Sequence, residues 1–335
     1  MLKVAVIGLG TMGAAHLEAW MAVPDVKVVA VCSRDQVKGG EFAARCGAQA
    51  FTSFEVMCEQ VDFSVADICL PTHLHPAFIR KAAEAGKHVV CEKPLALLPD
   101  EAEQCIQLCA QRGVKLMVGH DLRFCPEYRQ AHDRIAAGEL GQVGIVRMSR
   151  RSHYPFGTDN WYADASRSGG VIMDLLIHDL DWLLWTFGPA SRVTALKVGR
   201  DAASGPLEYA LIAIRFKNGT IAHVEGSWAH ADFRSSFEIS GTKGMLVEDM
   251  MDSIPLTVIK RADSKAASGV AVPEMTLNRN PYEVELAHFA DCIRDGAEPI
   301  ITPLDALRAV ELARAAVISA ETGQPVGLDS GGVSS

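Results

Sequence analysis

The sequence contains no apolar run of the roughly 20 residues that a membrane-spanning helix needs. Its first residues form a short β-branched run with one lysine, which lacks the charged and apolar pattern of a secretion signal. It also contains no internal repeat and no low-complexity linker. We therefore expect a cytoplasmic protein that is neither embedded in a membrane nor built from repeats.

An excess of positive charge is missing as well. Lysine and arginine total 32 against 41 aspartates and glutamates, a net charge of −9, which argues against nucleic acid or an anionic membrane as the main partner. The nine cysteines form no CxxC pair and no Cys/His spacing suited to zinc, so we expect buried, reduced thiols and no metal. With 335 residues, 49% of them hydrophobic, the chain is long enough for two domains.

A glycine-rich turn follows the first predicted strand. Residues 8–13 spell Gly-Leu-Gly-Thr-Met-Gly, and a predicted helix follows at Ala14–Ala22. A strand, G-x-G-x-x-G and a helix in this order are typical of a dinucleotide-binding site. Gly8 permits the tight turn, Gly10 lets the backbone approach a pyrophosphate, and Gly13 lets the helix pack closely. The alternative is a turn of the same shape that binds no ligand.

The end of the second predicted strand bears on the choice of nucleotide. Ser33, Arg34 and Asp35 follow this strand, whereas an NAD site usually places a carboxylate there first. A guanidinium pairs bidentately with a phosphate, so Arg34, helped by Lys38, would hold the extra phosphate of NADP. Two alternatives stay open: Arg34 stacks on adenine without selecting, and Asp35 only caps the next helix. We expect NADP to be preferred over NAD.

The order of predicted elements indicates two architectures. The first third alternates strands with helices, which predicts an α/β Rossmann domain with a doubly wound parallel sheet. After about residue 122 strands crowd together, which predicts an α+β domain with a large, open, mostly antiparallel sheet. We place the domains at residues 1–122 and 123–335. A sheet with one bare face commonly buries it in another copy, so we expect a homodimer or homotetramer through this sheet.

The run His-Val-Val-Cys-Glu-Lys-Pro at residues 88–94 ends a buried strand in a charged pair and a proline. Ligands of doubly wound sheets bind at the carboxyl ends of the strands, and the right-handed crossovers put all those ends on one edge. Lys93 is therefore expected at the same edge as the glycine turn. The alternative is that Glu92 and Lys93 form an ion pair that only caps the strand.

A second candidate site lies in a helix predicted from the glycines at 169–170 to about Trp185. Asp174, His178 and Asp181 are spaced i, i+4, i+7, so they would share one face of that helix. A histidine beside an aspartate is held in one tautomer and acts as an acid or base near neutral pH. The alternative is a structural Asp–His hydrogen bond, and a structural role suits Asp181 better.

Together these motifs resemble the Gfo/Idh/MocA oxidoreductase family, named for glucose-fructose oxidoreductase and inositol dehydrogenase. The resemblance covers nearly the whole chain. The motifs that carry it are the glycine turn, Pro71–His75, Gly86–Pro94, Gly169-Gly170 with Asp174 and His178, and Gly241–Gly244. It implies a Rossmann domain that binds NADP or NAD, and a second domain whose open sheet joins dimers or tetramers.

The resemblance also implies roles for single residues. Lys93 would hydrogen-bond the reacting hydroxyl, His178 would take its proton, and Asp174 would orient substrate and histidine. Pro94 would follow a cis peptide bond, and Arg123 matches a family position near the nicotinamide. The implied cofactor-binding residues are Gly8, Gly10, Thr11, Met12, Gly13, Ser33, Arg34, Lys38, Pro71, Thr72, His75, Glu92, Lys93 and Arg123.

The substrate is expected to be a carbohydrate or polyol. Trp161 and Tyr162 belong to an aromatic loop with Asp and Asn residues, and such a loop suits the apolar faces and hydroxyls of a sugar or cyclitol. The alternative is that these two rings only pack the domain junction. The candidate substrate residues are Lys93, Arg123, Trp161, Tyr162, Asp174 and His178.

We therefore expect an NAD(P)-dependent oxidoreductase that transfers a hydride between nicotinamide and a sugar, an inositol-like polyol or a related hydroxy or keto compound. Two alternatives stay open. One is a redox-neutral, glycosidase-like enzyme that recycles tightly bound NAD(P), and the other is a non-catalytic nucleotide-sensing protein. The presence of Lys93, Asp174 and His178 together argues against the sensor.

Overall fold

The computed structural model describes residues 1–200, 207–249 and 280–328, which fall into two units. The first unit consists of residues 1–124 together with a returning segment that is described from 280 to 307. The second consists of the described residues between 125 and 249 and those from 308 to 328. The predicted division between residues 122 and 123 did not include this return of the chain.

The first unit contains a sheet of six parallel strands. The strands are β1 (Leu2–Ile7), β2 (Val26–Cys32), β3 (Gln49–Phe51), β4 (Val65–Ile68), β5 (His88–Glu92) and β6 (Leu116–Gly119). The helices between them are α1 (Thr11–Ala22), α2 (Gln36–Cys46), α3 (Phe54–Gln60), α4 (His75–Glu84) and α5 (Pro99–Gln111). The strand order β3-β2-β1-β4-β5-β6 reverses direction between β1 and β4, which confirms the predicted doubly wound sheet.

The second unit contains a sheet of seven strands in the order β12-β11-β7-β10-β9-β8-β13. Its elements are α6 (Pro126–Ala136), β7 (Val143–His153), α7 (Ala165–Ser168), α8 (Gly170–Asp174), α9 (Ile177–Phe187), β8 (Ala190–Arg200), β9 (Leu207–Phe216), β10 (Ile221–Ser227), β11 (Ala229–Gly241), β12 (Gly244–Asp249) and β13 (Val326–Gly327). Every pair of neighbours is antiparallel except β7 and β10, which confirms the predicted mostly antiparallel sheet. Two more helices precede β13 in the chain, α10 (Pro281–Arg294) and α11 (Pro303–Thr322). Helix α10 belongs to the first unit.

The core of the first unit depends on α10. Strand β4 is buried along its whole length, because helices cover both faces of a parallel sheet. On one face, Leu17 and Trp20 of α1 share a single apolar cluster with Leu286 and Phe289 of α10. A segment from the last sixth of the chain therefore completes the core that the first residues begin.

The second sheet has one buried and one open face. Along β9 the side chains alternate, so that Ile212 and Ile214 are buried while Leu211 is 50% exposed. Leu196 lies opposite Leu211 on β8 and is 65% exposed. At the far edge of the same sheet Val247 is 58% exposed. The open face thus carries large apolar side chains among its polar ones.

One predicted element is wrong. The single helix expected from the glycines at 169–170 to Trp185 is two helices, since α8 ends at Asp174 and α9 begins at Ile177. The amides of Leu175 and Leu176 both donate to the carbonyl of Val171, at 3.1 and 3.0 Å, which widens the turn by one residue. The i, i+4 spacing of Asp174 and His178 therefore crosses a helix break.

Two further expectations concern the chain as a whole. All nine cysteines are free thiols, and seven of them are buried, as expected for reduced cysteines in an apolar core. Among the described residues, no helix is both long enough and apolar enough to cross a membrane.

Candidate functional site

The turn between β1 and α1 requires glycine at two of its three glycine positions. Gly8 has φ +92°, a conformation that other residues avoid. A Cβ atom on Gly13 would lie 1.9 Å from the carbonyl oxygen of Gly8, so only glycine lets α1 pack this closely. Beside Gly10, by contrast, no described atom lies within 4 Å of the place a Cβ would take.

The amino end of α1 is suited to phosphate. No side chain of the described residues caps this end at Gly10, and the first turn begins at Thr11 and Met12. The first backbone N–H groups of a helix have no partner within the helix, and they carry partial positive charge. Together with the open space at Gly10, they fit the pyrophosphate of a dinucleotide.

The residues after β2 are arranged around the start of α2. The Oδ1 atom of Asp35 accepts hydrogen bonds from the amides of Val37 and Lys38, at 3.0 and 3.1 Å, so Asp35 caps the helix. The hydroxyl of Ser33 accepts from the amide of Asp35 at 3.2 Å. Arg34 lies between them with its side chain exposed. The capping role considered for Asp35 is confirmed.

Lys93 follows β5 directly, and the backbone around it is held on both sides. The amide of Lys93 donates to Oε2 of Glu92 at 3.1 Å. One residue further, the carbonyl of Pro94 lies 2.7 Å from Nδ1 of His75, whose Nε2 lies 2.7 Å from the carbonyl of Leu70. Burial lowers the pKa of His75, against the opposing effect of these carbonyls. The imidazole of His75 thus joins the loops after β4 and β5.

The peptide bond between Lys93 and Pro94 is cis, as predicted. The predicted residues Pro71 and Thr72 begin the 3₁₀ turn that precedes α4, and Thr72 is buried. Arg123 is almost fully buried in the first unit. One of its terminal nitrogens donates to the carbonyl of Ile300 at 2.9 Å.

A buried group of titratable side chains contacts Glu92, whose carboxylate accepts the amide of Lys93. None of the motifs in the sequence pointed to this group. His16 of α1 is fully buried, with Nδ1 3.0 Å from a carboxylate oxygen of Asp67 and Nε2 2.9 Å from Oε1 of Glu92. The indole of Trp20 donates to Asp67 at 2.8 Å. Asp67 inside the apolar strand β4 was the available signal, since a buried carboxylate needs partners.

The candidate residues of the second unit lie on α8 and α9. Gly169 and Gly170 both have positive φ and turn the chain into α8. Glu208 of β9 accepts a hydrogen bond from the amide of Val171 at 2.8 Å and pairs with Lys197 at 3.0 Å. A Cβ atom on Gly170 would lie 2.8 Å from both charged groups. The carboxylate therefore fixes the start of the helix that carries Asp174.

Helix α9, which carries His178, is anchored by the neighbouring residue. Asp179 is buried and makes a bidentate ion pair with Arg150 of β7, with nitrogen–oxygen distances of 2.6 and 3.0 Å. Arg150 also donates to the hydroxyl of Tyr128 at 3.0 Å. Such a paired, hydrogen-bonded charge holds α9 against the sheet and fixes where His178 emerges.

The aromatic loop before α7 is also ordered by its own contacts. The rings of Trp161 and Tyr162 lie 3.9 Å apart at 30°, and both side chains are buried within the second unit. Asp159 and Asn160 have positive φ, which is uncommon outside glycine. The hydroxyl of Tyr154 donates to Asn160 at 2.9 Å. The loop is therefore ordered by its own contacts, with both aromatic rings buried.

The first unit brings the glycine turn, Ser33, Thr72, His75 and Lys93 to the carboxyl edge of one parallel sheet. A doubly wound sheet with this turn and an open helix end defines the class of dinucleotide-binding proteins. Residues 2–120 match the model of the GFO_IDH_MocA oxidoreductase family, NAD-binding Rossmann fold, and residues 128–247 match the GFO/IDH/MocA C-terminal domain. The chain belongs to this family of NAD-binding oxidoreductases.

The similarity to known proteins extends over nearly the whole chain. The scyllo-inositol 2-dehydrogenase (NAD(+)) of Bacillus subtilis is 31% identical, with 98% of this chain and 96% of that protein covered. The crystal structure of GenD2 from gentamicin A biosynthesis, in complex with NAD, is 28% identical with a TM-score of 0.86 and covers 98% of this chain and 97% of its own. A myo-inositol dehydrogenase from Corynebacterium glutamicum is 27% identical with a TM-score of 0.80 and covers 98% and 99%. These findings confirm the predicted family, fold and oxidoreductase class.

The different surroundings of Gly10 and Gly13 separate binding from folding. We expect Gly10→Ala to weaken NAD binding about tenfold or more, because a methyl group would fill the open space, while the melting temperature changes by less than about 2 °C. Gly13→Ala should instead lower the stability by roughly 1–3 kcal/mol through its clash with the turn. Titration calorimetry and thermal unfolding of both variants check this. Equal effects of the two substitutions on binding and on stability would contradict it.

Proposed function

We propose that this protein transfers a hydride between a nicotinamide cofactor and a secondary hydroxyl or ketone of a sugar, an inositol-like polyol or a related compound. The observation that carries the proposal is the placement of Lys93. It lies at the sheet edge that also holds the glycine turn, and its backbone is held from both sides by Glu92 and His75. A pre-positioned cation at a dinucleotide edge suits an oxygen on which negative charge develops.

The proposed chemistry assigns one task to each of three side chains. The ammonium of Lys93 donates a hydrogen bond to the reacting oxygen, and His178 accepts the hydroxyl proton at a ring nitrogen. Asp174 orients His178 and the substrate. When bound, the nicotinamide accepts or returns the hydride. In the reductive direction the same histidine gives the proton back. The anchored helices α8 and α9 support these assignments, since a base must stay in position to be effective.

The substrate class rests on two supports. The first is the presence of Trp161 and Tyr162 in the loop before α7, because aromatic rings complement the apolar face of a sugar or cyclitol ring. The second is that several similar proteins are named as dehydrogenases of scyllo-inositol or myo-inositol. A cyclic polyol is therefore the substrate class that we propose first.

The function is tested by following nicotinamide absorbance at saturating NAD or NADP against a panel of inositols, aldoses and keto-sugars. Turnover with a member of the panel is expected. If the nucleotide binds but no member of the panel changes the nicotinamide absorbance, the proposal is contradicted. The redox-neutral or sensing alternatives would then be favoured. Purified protein that already carries nucleotide, and consumes no added cofactor, would point to the redox-neutral one.

We expect Lys93→Ala to lower kcat by roughly a hundredfold or more, since loss of one preorganised donor at a developing oxyanion costs about that much. The dissociation constant of the nucleotide should change by less than about threefold. The control is Lys115→Ala, which removes an exposed lysine just before β6 and should leave kcat unchanged. Steady-state kinetics and fluorescence titration of both variants decide the question. Turnover that survives the loss of Lys93 would show that the mechanism is wrong.

We propose NADP as the preferred cofactor, because Arg34 is exposed at the end of β2 and Asp35 is occupied as a helix cap. Hydrogen bonds to charged groups contribute about 1.5–3 kcal/mol, so Arg34→Ala should weaken NADP binding roughly ten- to hundredfold. NAD binding should change little. The control is Arg45→Ala near the end of α2, because the guanidinium of Arg45 pairs with Glu18 instead. Equal affinity of the natural protein for NAD and NADP in calorimetry would contradict this preference.

We also propose that two copies associate through the open face of the second sheet, as a dimer or as half of a tetramer. The exposed pair Leu196 and Leu211 supports this, since large apolar side chains seldom gather on a monomer surface. In Leu211→Lys the new cation lies opposite Glu225 on β10, so the monomer should stay folded while the interface is weakened. Sedimentation should then show a smaller species. Val37→Lys, at a similarly exposed site on α2, should leave the assembly intact. A monomeric natural protein would contradict the proposal.

The place of action that we propose is the cytoplasm. The support is the state of the cysteines, since all nine are free thiols and such thiols persist in reducing compartments. Fractionation of the cells that make the protein, with enzyme activity and antibody detection in parallel, tests this proposal.

A further inference from the structure

The buried charges behind Lys93 form a chain of hydrogen bonds that ends on the lysine itself. Asp67 bonds Nδ1 of His16, and Nε2 of His16 bonds Oε1 of Glu92. The other carboxylate oxygen, Oε2, accepts the amide of Lys93 at 3.1 Å. No exposed group takes part, since His16 and Asp67 are fully buried and Glu92 is 5% exposed.

The chemistry of the partners sets the protonation of His16. Asp67 accepts from His16, from the indole of Trp20 at 2.8 Å and from the thiol of Cys69 at 3.6 Å. An ionised carboxylate only accepts, so a ring nitrogen beside each carboxylate must carry a proton. Burial alone lowers the pKa of His16, but the charge of Asp67 and the hydrogen bonds raise it well above its ordinary value. This direction favours the imidazolium form of His16.

Glu92 is held in its charged form by the same contacts. Burial raises the pKa of Glu92, yet the hydrogen bond and charge of His16, and then the charge of Lys93, bring it below its ordinary value. Glu285 faces the cluster from α10, and its pKa is raised well above the ordinary value by burial and by the charges of Asp121 and Glu92. This direction favours the neutral form of the Glu285 carboxyl.

We propose that His16 is a positioning residue for Lys93, which it fixes through the carboxylate of Glu92. The proposal rests on the proposed function only where it predicts kinetics. Without the imidazolium, Glu92 loses the partner that orients its carboxylate, and the amide of Lys93 loses a fixed acceptor. A misplacement of about 1 Å can cost roughly a hundredfold in rate.

The first test is direct and needs no activity. Nitrogen-15 spectra of the histidine rings should show one histidine, absent in His16→Gln, that keeps both protons at pH 8, where ordinary histidines are neutral. The folded pKa of His16 lies above its unfolded value, so the bridge stabilises fully below about pH 6.5, and its contribution is lost as the pH rises through the folded pKa. A neutral His16 at pH 8 would overturn the charged bridge. The titratable and charged groups that face this cluster are Asp67 of β4 and Cys69 just after it, Glu92 of β5 and Lys93 just after it, Asp121 after β6, and Tyr282 and Glu285 of α10.

The second test is kinetic. His16→Gln should lower kcat about ten- to hundredfold with little change in the dissociation constant of the nucleotide. Glu92→Gln should act similarly, and the double variant should lose no more than the worse single variant, because both act through one chain of bonds. His88→Gln, at the opposite end of β5, is the matched control and should keep kcat within about twofold. Turnover of His16→Gln within twofold of the natural protein, or additive losses in the double variant, would overturn the proposal.

A third measurement separates this proposal from the proposed function. Amide hydrogen exchange at Lys93 should become at least tenfold faster in His16→Gln, while exchange along β6 stays the same. If the natural protein turns over no polyol, the proposed function fails and this exchange rate alone decides the positioning role. Unchanged exchange at Lys93 would overturn it. Should His16→Gln fail to fold, Glu92→Gln, which keeps the size of the side chain, provides the same comparison.

Discussion

A charge that is removed from water must find a partner, and this constraint fixes how three elements of the first unit meet. Asp67 lies inside β4 and is fully buried, so α1 must bring His16 to it and β5 must bring Glu92 to the other side of the same ring. The positions of α1, β4 and β5 are therefore specified by hydrogen bonds with definite geometry, in addition to apolar packing. The glycine turn lies at the start of α1, so the same contacts also hold the candidate phosphate site.

The two units use a similar device to hold backbone near their candidate residues. In the first, the carboxylate of Glu92 accepts the amide of Lys93. In the second, the carboxylate of Glu208 accepts the amide of Val171 at the start of the helix that carries Asp174. Each carboxylate has a partner of its own, the imidazole of His16 in one case and the ammonium of Lys197 in the other. Charge-assisted bonds to backbone are strong and directional, which makes them suited to this purpose.

Local patterns in the sequence were enough to predict the elements that depend on neighbours in the chain. The glycine turn and the strand ending at Glu92 are of this kind, whereas the cis bond before Pro94 was implied by the family resemblance. The helix break after Asp174 could not be predicted, because Leu175 and Leu176 continue the apolar pattern and the widened turn is set by the packing around it.

The buried contacts of His16 could not be predicted from the sequence for a different reason. His16 and its partners are separated by 51 and 76 residues, and nothing in the sequence near His16 distinguishes it from a surface histidine. Only Asp67, a charged residue within an apolar strand, indicated that a partner had to exist. The roles of Lys93, Asp174 and His178 stay predictions that rest on the resemblance and the chemistry.

The return of α10 to the first unit has a consequence for folding during synthesis on the ribosome. Domains commonly fold in order as the ribosome releases them, the first one first. Here the strands β1–β6 emerge long before Leu286 and Phe289, which cover Leu17 and Trp20. At the usual rate of translation, the apolar surface of Leu17 and Trp20 stays uncovered for on the order of ten seconds. The nucleotide-binding unit is thus begun first but is completed only after the strands of the second sheet up to β12 have been made.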